Sequence, residues 1–170
     1  NIPHYSALLL RRSFADLSLP GALMDRARQW LLPSDAIWRD GMKTWVFPSG
    51  ATVTFGYLER RGDEYRYQST EFQFVGFDEL TQFPEAQYRY LFSRLRRLAS
   101  VDVPLRMRSA SNPGGVGHEW VRERFIDAEG SIDGRVFIPA SLPDNPYLDQ
   151  QAYLESLQQL DPITRQQLLM

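Results

Sequence analysis

The stretch that decides the fold is Phe72-Gln73-Phe74-Val75-Gly76-Phe77-Asp78-Glu79-Leu80. An apolar run climbs with little interruption and then delivers two adjacent carboxylates. An apolar run of this length reads as a buried strand. In a parallel α/β sheet, ligands bind beyond the carboxyl ends of the strands, which is where Asp78 and Glu79 fall. An aspartate at such an end can hold Mg²⁺ where the ion bridges nucleotide phosphates. A neighbouring glutamate can orient and deprotonate an attacking water. The plainer alternative is a strand terminus followed by an acidic helix start, since Asp and Glu favour that position.

The rest of the chain supports an α/β reading. Ala7–Leu10 is a short apolar run that hands over to Arg11 and Arg12, again a buried strand ending in charge. Pro20 predicts a helix start, with Leu23, Met24, Ala27, Trp30 and Leu31 on one side. Thr44–Phe47 and Ala51–Phe55 flank Pro48-Ser49-Gly50 and predict a β-hairpin. The polar segment Glu59–Tyr67 leads into the opening strand. After it, Pro84 predicts a helix to about Leu98, with Tyr88, Leu91, Phe92, Leu95 and Leu98 as its apolar stripe. Leu105–Ala110 and Val136–Ile138 read as strands, and helices are expected near Glu119–Ile126, Leu148–Leu160 and Pro162–Leu169. Strands separated by helices argue for a parallel sheet.

Composition narrows the class. The 170 residues suit one domain with a sizeable core, and 43% hydrophobic with 24% charged residues is a globular balance rather than a disordered one. No run of about 18 apolar residues predicts a membrane span, and no signal peptide opens the chain. With no cysteine there is no disulfide or thiolate metal site. Two histidines, His4 and His118, are too few for a histidine-rich metal centre, and His118 reads as a helix-start residue. Trp30, Trp38, Trp45 and Trp120 read as core residues. A formal charge of −2 means that the surface as a whole does not coat nucleic acid, although arginine is locally dense at Arg89, Arg94, Arg96 and Arg97.

A second strand end adds to the site. Arg106–Ala110 runs into Ser111-Asn112-Pro113. Asn112 is polar, uncharged and held by the following proline, which suits a group that senses a γ-phosphate or positions water. An ordinary Asn-Pro turn is its plain alternative. Gly114-Gly115-Val116-Gly117 lacks the Lys-Ser/Thr that a phosphate loop requires and reads instead as a flexible joint before the next helix.

Four segments, in order, carry a resemblance: "ALLLRRSF" (7–14), "FQFVGFDELTQFPEAQYRYLFSRLR" (72–96), "SASNPGGVGHEWVRERFI" (109–126) and "IPASLPDNPYLD" (138–149). Together they resemble the ATPase domain of phage terminase large subunits, over nearly the whole chain. The resemblance implies a P-loop NTPase fold of the ASCE type: a mostly parallel sheet flanked by helices, with the β-hairpin as an insertion. It also implies an ATP-hydrolysing motor that drives phage DNA into procapsids, with ATP and Mg²⁺ as cofactors. The implied partners are double-stranded DNA, the terminase small subunit, the portal protein and further copies in a homo-oligomeric ring. The implied setting is phage assembly in the bacterial host cytoplasm.

Residue by residue, "FVGFDE" matches the family's Walker B segment, with Asp78 as the magnesium aspartate and Glu79 as the catalytic glutamate. "SASNP" matches its coupling motif, with Asn112 as the phosphate-linked polar group. A positive charge on the transferring phosphate is expected in such motors, often supplied by a neighbouring subunit. Arg66 is the first candidate for it, ahead of Arg94 and Arg96, while Arg11 and Arg12 are expected near the nucleotide. The family's Walker A loop would precede residue 1 and its nuclease domain would follow "DPITRQQLLM", so residues 1–170 read as a fragment of one ATPase domain, inactive alone. The Walker A strand would lie between Arg106–Ala110 and Val136–Ile138, which are therefore not expected to pair normally. A DNA helicase-like ATPase uses the same strand-end carboxylates and is the alternative enzyme. A non-catalytic DNA-binding or structural module is the alternative outside enzymes. A two-metal nuclease ranks low, because only one acidic pair stands at a strand end.

Overall fold

The computed structural model describes residues 2–97, 102–127 and 134–169. Six strands form one sheet: β1 (Ser6–Arg11), β2 (Ile37–Arg39), β3 (Thr44–Val46), β4 (Thr52–Tyr57), β5 (Phe74–Asp78) and β6 (Arg106–Ala110), in the order β2-β3-β4-β1-β5-β6. The run β4-β1-β5-β6 is parallel, while β2, β3 and β4 pair antiparallel at one edge. This is the mostly parallel sheet with a hairpin insertion that the sequence leads one to expect.

Register explains the two cores. Leu8 pairs with Val75 and Leu10 with Phe77, and all four side chains face the same side of the sheet. There they meet Leu80, Phe83 and, from α3 (Glu85–Phe92), Tyr88 and Leu91, with Trp120 and Phe125 of α4 (His118–Phe125) packed beside them. Leu9 points to the other face, where Trp45 and Phe55 pack with Leu17 of α1 (Phe14–Ser18) and with Leu23, Met24, Ala27 and Leu31 of α2 (Leu23–Leu31). The central strands are thus covered on both faces, as an unbroken apolar sequence requires. Two further helices, α5 (Gln150–Leu157) and α6 (Pro162–Leu169), close the described chain.

Four expectations change. Trp30 is 76% exposed, because the partly buried stripe that α2 packs on the core is Leu23, Met24, Ala27 and Leu31, which leaves position 30 at its margin. Helix α3 stops at Phe92 rather than near Leu98. Its continuation turns back so that Leu95 bridges Phe72, with Phe72 N–H donating to the Arg94 carbonyl and Arg96 N–H to the Phe72 carbonyl. Leu98 itself lies outside the described residues. Val136–Ile138 forms no strand, and its side chains are exposed. High β-propensity does not make a strand without a neighbour to pair with or a surface to pack on. Strand β6 accordingly ends the sheet without pairing to that segment. Finally, neither β2 nor α1 is expected from the sequence; α1 is capped by Ser13, whose Oγ accepts from Asp16 N–H.

One glycine ties β4 to the polar segment before β5. A methyl group on Gly56 would overlap the hydroxyl of Tyr67 and touch Leu10. Tyr67 is partly buried, and the loss of solvent pushes its phenol up to about 12. Gly56→Ala is expected to destabilise the protein by about 1–3 kcal/mol through overpacking, and by less in a Tyr67→Phe background. Denaturant midpoints of the four proteins check this; equal costs in both backgrounds would show that the clash lies elsewhere.

Candidate functional site

The parallel register that builds the core also builds the site. One step beyond the Leu10–Phe77 pair, Arg11 and Asp78 stand side by side at the carboxyl ends of β1 and β5. Arg11 Nε donates to Asp78 Oδ2 at 2.5 Å, and both side chains are about a quarter exposed. On the other side of β1, Arg11 is in register with Tyr57 at the end of β4. The Arg66 guanidinium lies over the Tyr57 ring, 4.6 Å from its centroid. Arg66, Tyr57, Arg11 and Asp78 therefore run in sequence along the same edge of the sheet.

Arg66 is also held by Asp63 at 2.6 Å, one turn earlier in the 3-10 turn Asp63–Tyr67. Burial pushes the Asp63 carboxyl up, but hydrogen bonds from the Arg60 backbone and from Arg66 outweigh it and hold it below the usual range. A carboxyl lowered in this way keeps its pair at neutral pH and loses it only as pH falls below the ordinary carboxylate range. Arg12 is turned into the fold instead. It donates to the Leu58 carbonyl and to Gln87 Oε1, while Gln87 Nε2 donates to the Arg60 carbonyl and to the buried Glu64. Arg94 donates to the Gln68 carbonyl, and Arg96 pairs with Glu71 at 3.2 Å.

Glu79 leaves β5 in a left-handed conformation, φ 57 and ψ 58. A non-glycine residue there costs of order 1 kcal/mol or more and is retained where the side chain or the turn is needed. The turn sends Glu79 away from Asp78 and into an open pocket of about 310 Å³, lined by Thr81, Gln82, Asn112, the Pro113–Gly115 loop and residues of α6. The structure thus brings Glu79 and Asn112 to one pocket, and Arg11 and Asp78 to one ion pair beside it.

The floor of that pocket is tightly built. Gly115 has φ +81, and a Cβ there would come within 2.7 Å of the Thr81 carbonyl. Gly117 N–H donates to the same carbonyl at 2.6 Å. Gly115 and Gly117 serve close approach to the Glu79 turn, rather than the loose joint expected from their sequence. His118 opens α4, as expected, and its Nδ1 accepts from Gly114 N–H. The sequence reading missed two hydroxyls here. Thr81 is buried, and its Oγ1 lies 2.7 Å from Ser111 Oγ. Ser111 had a signal, standing directly before an Asn-Pro turn; Thr81 had none, because its partner is 30 residues away.

Replacing Glu79 by glycine removes both the carboxylate and the left-handed strain. The denaturation midpoint of Glu79→Gly is expected to equal or exceed that of the parent protein, by up to about 1 kcal/mol in stability. A clear loss of stability would mean that the carboxylate serves the fold.

Comparison with known proteins agrees with this architecture. No curated protein matches the chain by sequence. The large terminase of a thermophilic bacteriophage superposes on all of this chain with a TM-score of 0.72 at 15% identity, and 41% of that protein is covered. A second structure of the same bacteriophage's large terminase, in complex with ADP, gives a TM-score of 0.70 at 17% identity, covering 99% of this chain and 40% of that one. The chain thus spans about two fifths of the solved proteins it matches, and at these identities the likeness speaks for the fold. The family model for the N-terminal part of the terminase large subunit, T4likevirus-type, matches residues 24–170. The chain belongs to that terminase large subunit family.

Proposed function

We propose that this chain forms part of the ATP-hydrolysing motor of a terminase large subunit, which drives phage DNA into procapsids in the host cytoplasm. The observation that carries the reading is the meeting of Glu79 and Asn112 in one pocket, at the ends of adjacent parallel strands, with Asp78 next to them. Membership of the terminase family supports it, as does the ADP complex of the thermophilic bacteriophage's large terminase. A helicase-like ATPase would use similar strand ends, and the family membership favours packaging over it. Double-stranded DNA, the small subunit, the portal and further copies in a ring belong to the same proposal.

Among the described residues no three acidic, histidine or cysteine side chains group into a metal cage. Mg²⁺ does not ask for one: it takes one or two carboxylates and completes its shell with water and substrate phosphates. Asp78, partly exposed at a strand end, fits that demand and would hold the ion. When bound, the ion supplies charge neutralisation on the phosphate oxygens. Arg11 orients the Asp78 carboxylate through Oδ2 and leaves Oδ1 unengaged by that bond. Glu79 takes a proton from the attacking water onto a carboxylate oxygen. Asn112 offers an uncharged donor and acceptor across the pocket from it. Arg66 stabilises the transferring phosphate of a neighbouring subunit, which requires it to leave Asp63.

The test separates the roles in the intact protein, by phosphate release and by binding of a fluorescent ATP analogue. Asp78→Asn is expected to weaken magnesium-dependent nucleotide binding as well as turnover. Glu79→Gln is expected to keep binding and lose turnover by a factor on the order of 10²–10⁴. Wild-type turnover in Glu79→Gln would end this assignment.

The arginine is tested by mixing. Arg66→Ala is expected to bind ATP normally and to lose turnover by a factor on the order of 10³ or more. Mixed with Glu79→Gln it should regain part of the activity, since each subunit supplies what the other lacks. Full activity of Arg66→Ala alone would place the role on another residue.

A further inference from the structure

The Glu79 turn and the Asn112 turn leave different strands, β5 and β6, and their separation sets the width of the pocket between them. Backbone ladder bonds join the two strands up to the Asp78–Ala110 pair and no further. Beyond it, contacts made by two hydroxyls take over. Thr81 N–H donates to Ser111 Oγ at 3.0 Å, and the two hydroxyl oxygens lie 2.7 Å apart. The Asn112 carbonyl stands 3.0 Å from Thr81 Oγ1 and 3.1 Å from Ser111 Oγ.

Counting hydrogens closes this network. Each hydroxyl has one proton, and the Asn112 carbonyl can only accept. One hydroxyl therefore donates to the carbonyl while the other donates to its hydroxyl partner. In either arrangement both protons are used, and Ser111 Oγ still accepts from Thr81 N–H. Thr81 is 3% exposed while Ser111 and Asn112 stand at the surface, so water is shut out at the threonine end of the network, and polar networks hold one geometry when fully satisfied.

We infer that Thr81 is a positioning residue: with Ser111 it locks the Asn112 turn to the Glu79 turn, so that the base and the polar group across the pocket keep one spacing during turnover. The inference rests on the reading of Glu79 and Asn112 given above. It assigns the two hydroxyls a part in the rate and none in nucleotide affinity, because neither side chain is left with a free donor. The glycines agree with this role. Gly117 N–H and the close approach of Gly115 hold the Thr81 carbonyl, so backbone and side chain at 81 are both engaged.

The test uses the intact protein, with kcat and KM for ATP, binding of a fluorescent ATP analogue, and thermal melting of each variant. Thr81→Val keeps shape and removes the hydroxyl; Ser111→Ala removes the other hydroxyl at an exposed loop position; Thr81→Ser keeps the hydroxyl. Thr81→Val and Ser111→Ala are each expected to lower kcat by up to about 10²-fold, as small misplacements of reacting groups do, with KM and analogue binding unchanged. The double variant should lose no more than the worse single one, because both break the same network. Thr81→Ser should restore most of the rate. Unchanged kcat in Ser111→Ala and Thr81→Val, or a rise in KM with kcat intact, would overturn the inference. So would a loss in Thr81→Ser equal to that in Thr81→Val. If Thr81→Val does not fold, Ser111→Ala and Thr81→Ser decide. Glu79→Gln in the same assay separates the two levels. If it keeps wild-type turnover, the reading of the site fails and the inference falls with it. If it loses turnover while the hydroxyl variants do not, the inference alone fails.

Discussion

Parallel pairing of β1 with β5 is the constraint on which the core and the site both depend. Leu8 with Val75 and Leu10 with Phe77 put four apolar side chains on one face. The same alternation puts Leu9, Gly76, Arg11 and Asp78 on the other. A slip of one residue in β5 would turn Val75 and Phe77 out of the core and carry Asp78 away from Arg11. The apolar register, worth several kcal/mol in buried side chains, therefore fixes the ion pair as a by-product. A partly exposed pair contributes about 1 kcal/mol at most by itself, too little to set the register. Packing positions the chemistry here, and the charge pair follows.

From that edge the site spreads sideways rather than deeper. Tyr57 continues the line beyond Arg11 and gives Arg66 a ring to lie on. On the other side, Glu79 swings into its left-handed turn and meets the loop after β6. Partly buried Arg12, with the buried Gln87 and Glu64, steadies the segment that carries Arg66, through bonds to the carbonyls of Leu58 and Arg60. Helix α6 contributes Thr164, Gln167 and Leu168 to the pocket wall, so the last described helix of the chain reaches the same place as the ends of its central strands.

Much of this was legible beforehand, for physical reasons that can be named. The apolar run before Asp78 marks a buried strand, and the alternation of strands with helices marks a parallel sheet; the hairpin was marked by Pro48-Ser49-Gly50 between two β-rich runs. The end of α3 was not legible, because helical periodicity continues past Phe92 and the chain is diverted by a bridge to Phe72, a long-range partner. Val136–Ile138 misled by composition, since a strand needs a neighbour and none is there among the described residues. In the site, Asp78 and Glu79 could be found from their position after a buried run. That they part company, one toward Arg11 and the other into the pocket, depends on the backbone angles of a single residue. Gly115 and Gly117 were visible, but their reason, close approach to the Thr81 carbonyl, belongs to packing between loops far apart in sequence.

The placement of Trp120 makes the pocket loop measurable. Its indole N–H donates to the Phe83 carbonyl at 2.8 Å, its ring lies 5.1 Å from that of Tyr88, and a Cβ on Gly117 would sit 2.6 Å from its nitrogen. The indole is thus wedged between the core and the loop that leads from Asn112. Of the other three tryptophans, Trp45 is sealed in the opposite core, Trp38 packs beside it and Trp30 stands in solvent. The fold therefore contains its own optical gauge: an emitter whose hydrogen bond and aromatic neighbour report on the loop at the pocket, without any attached dye.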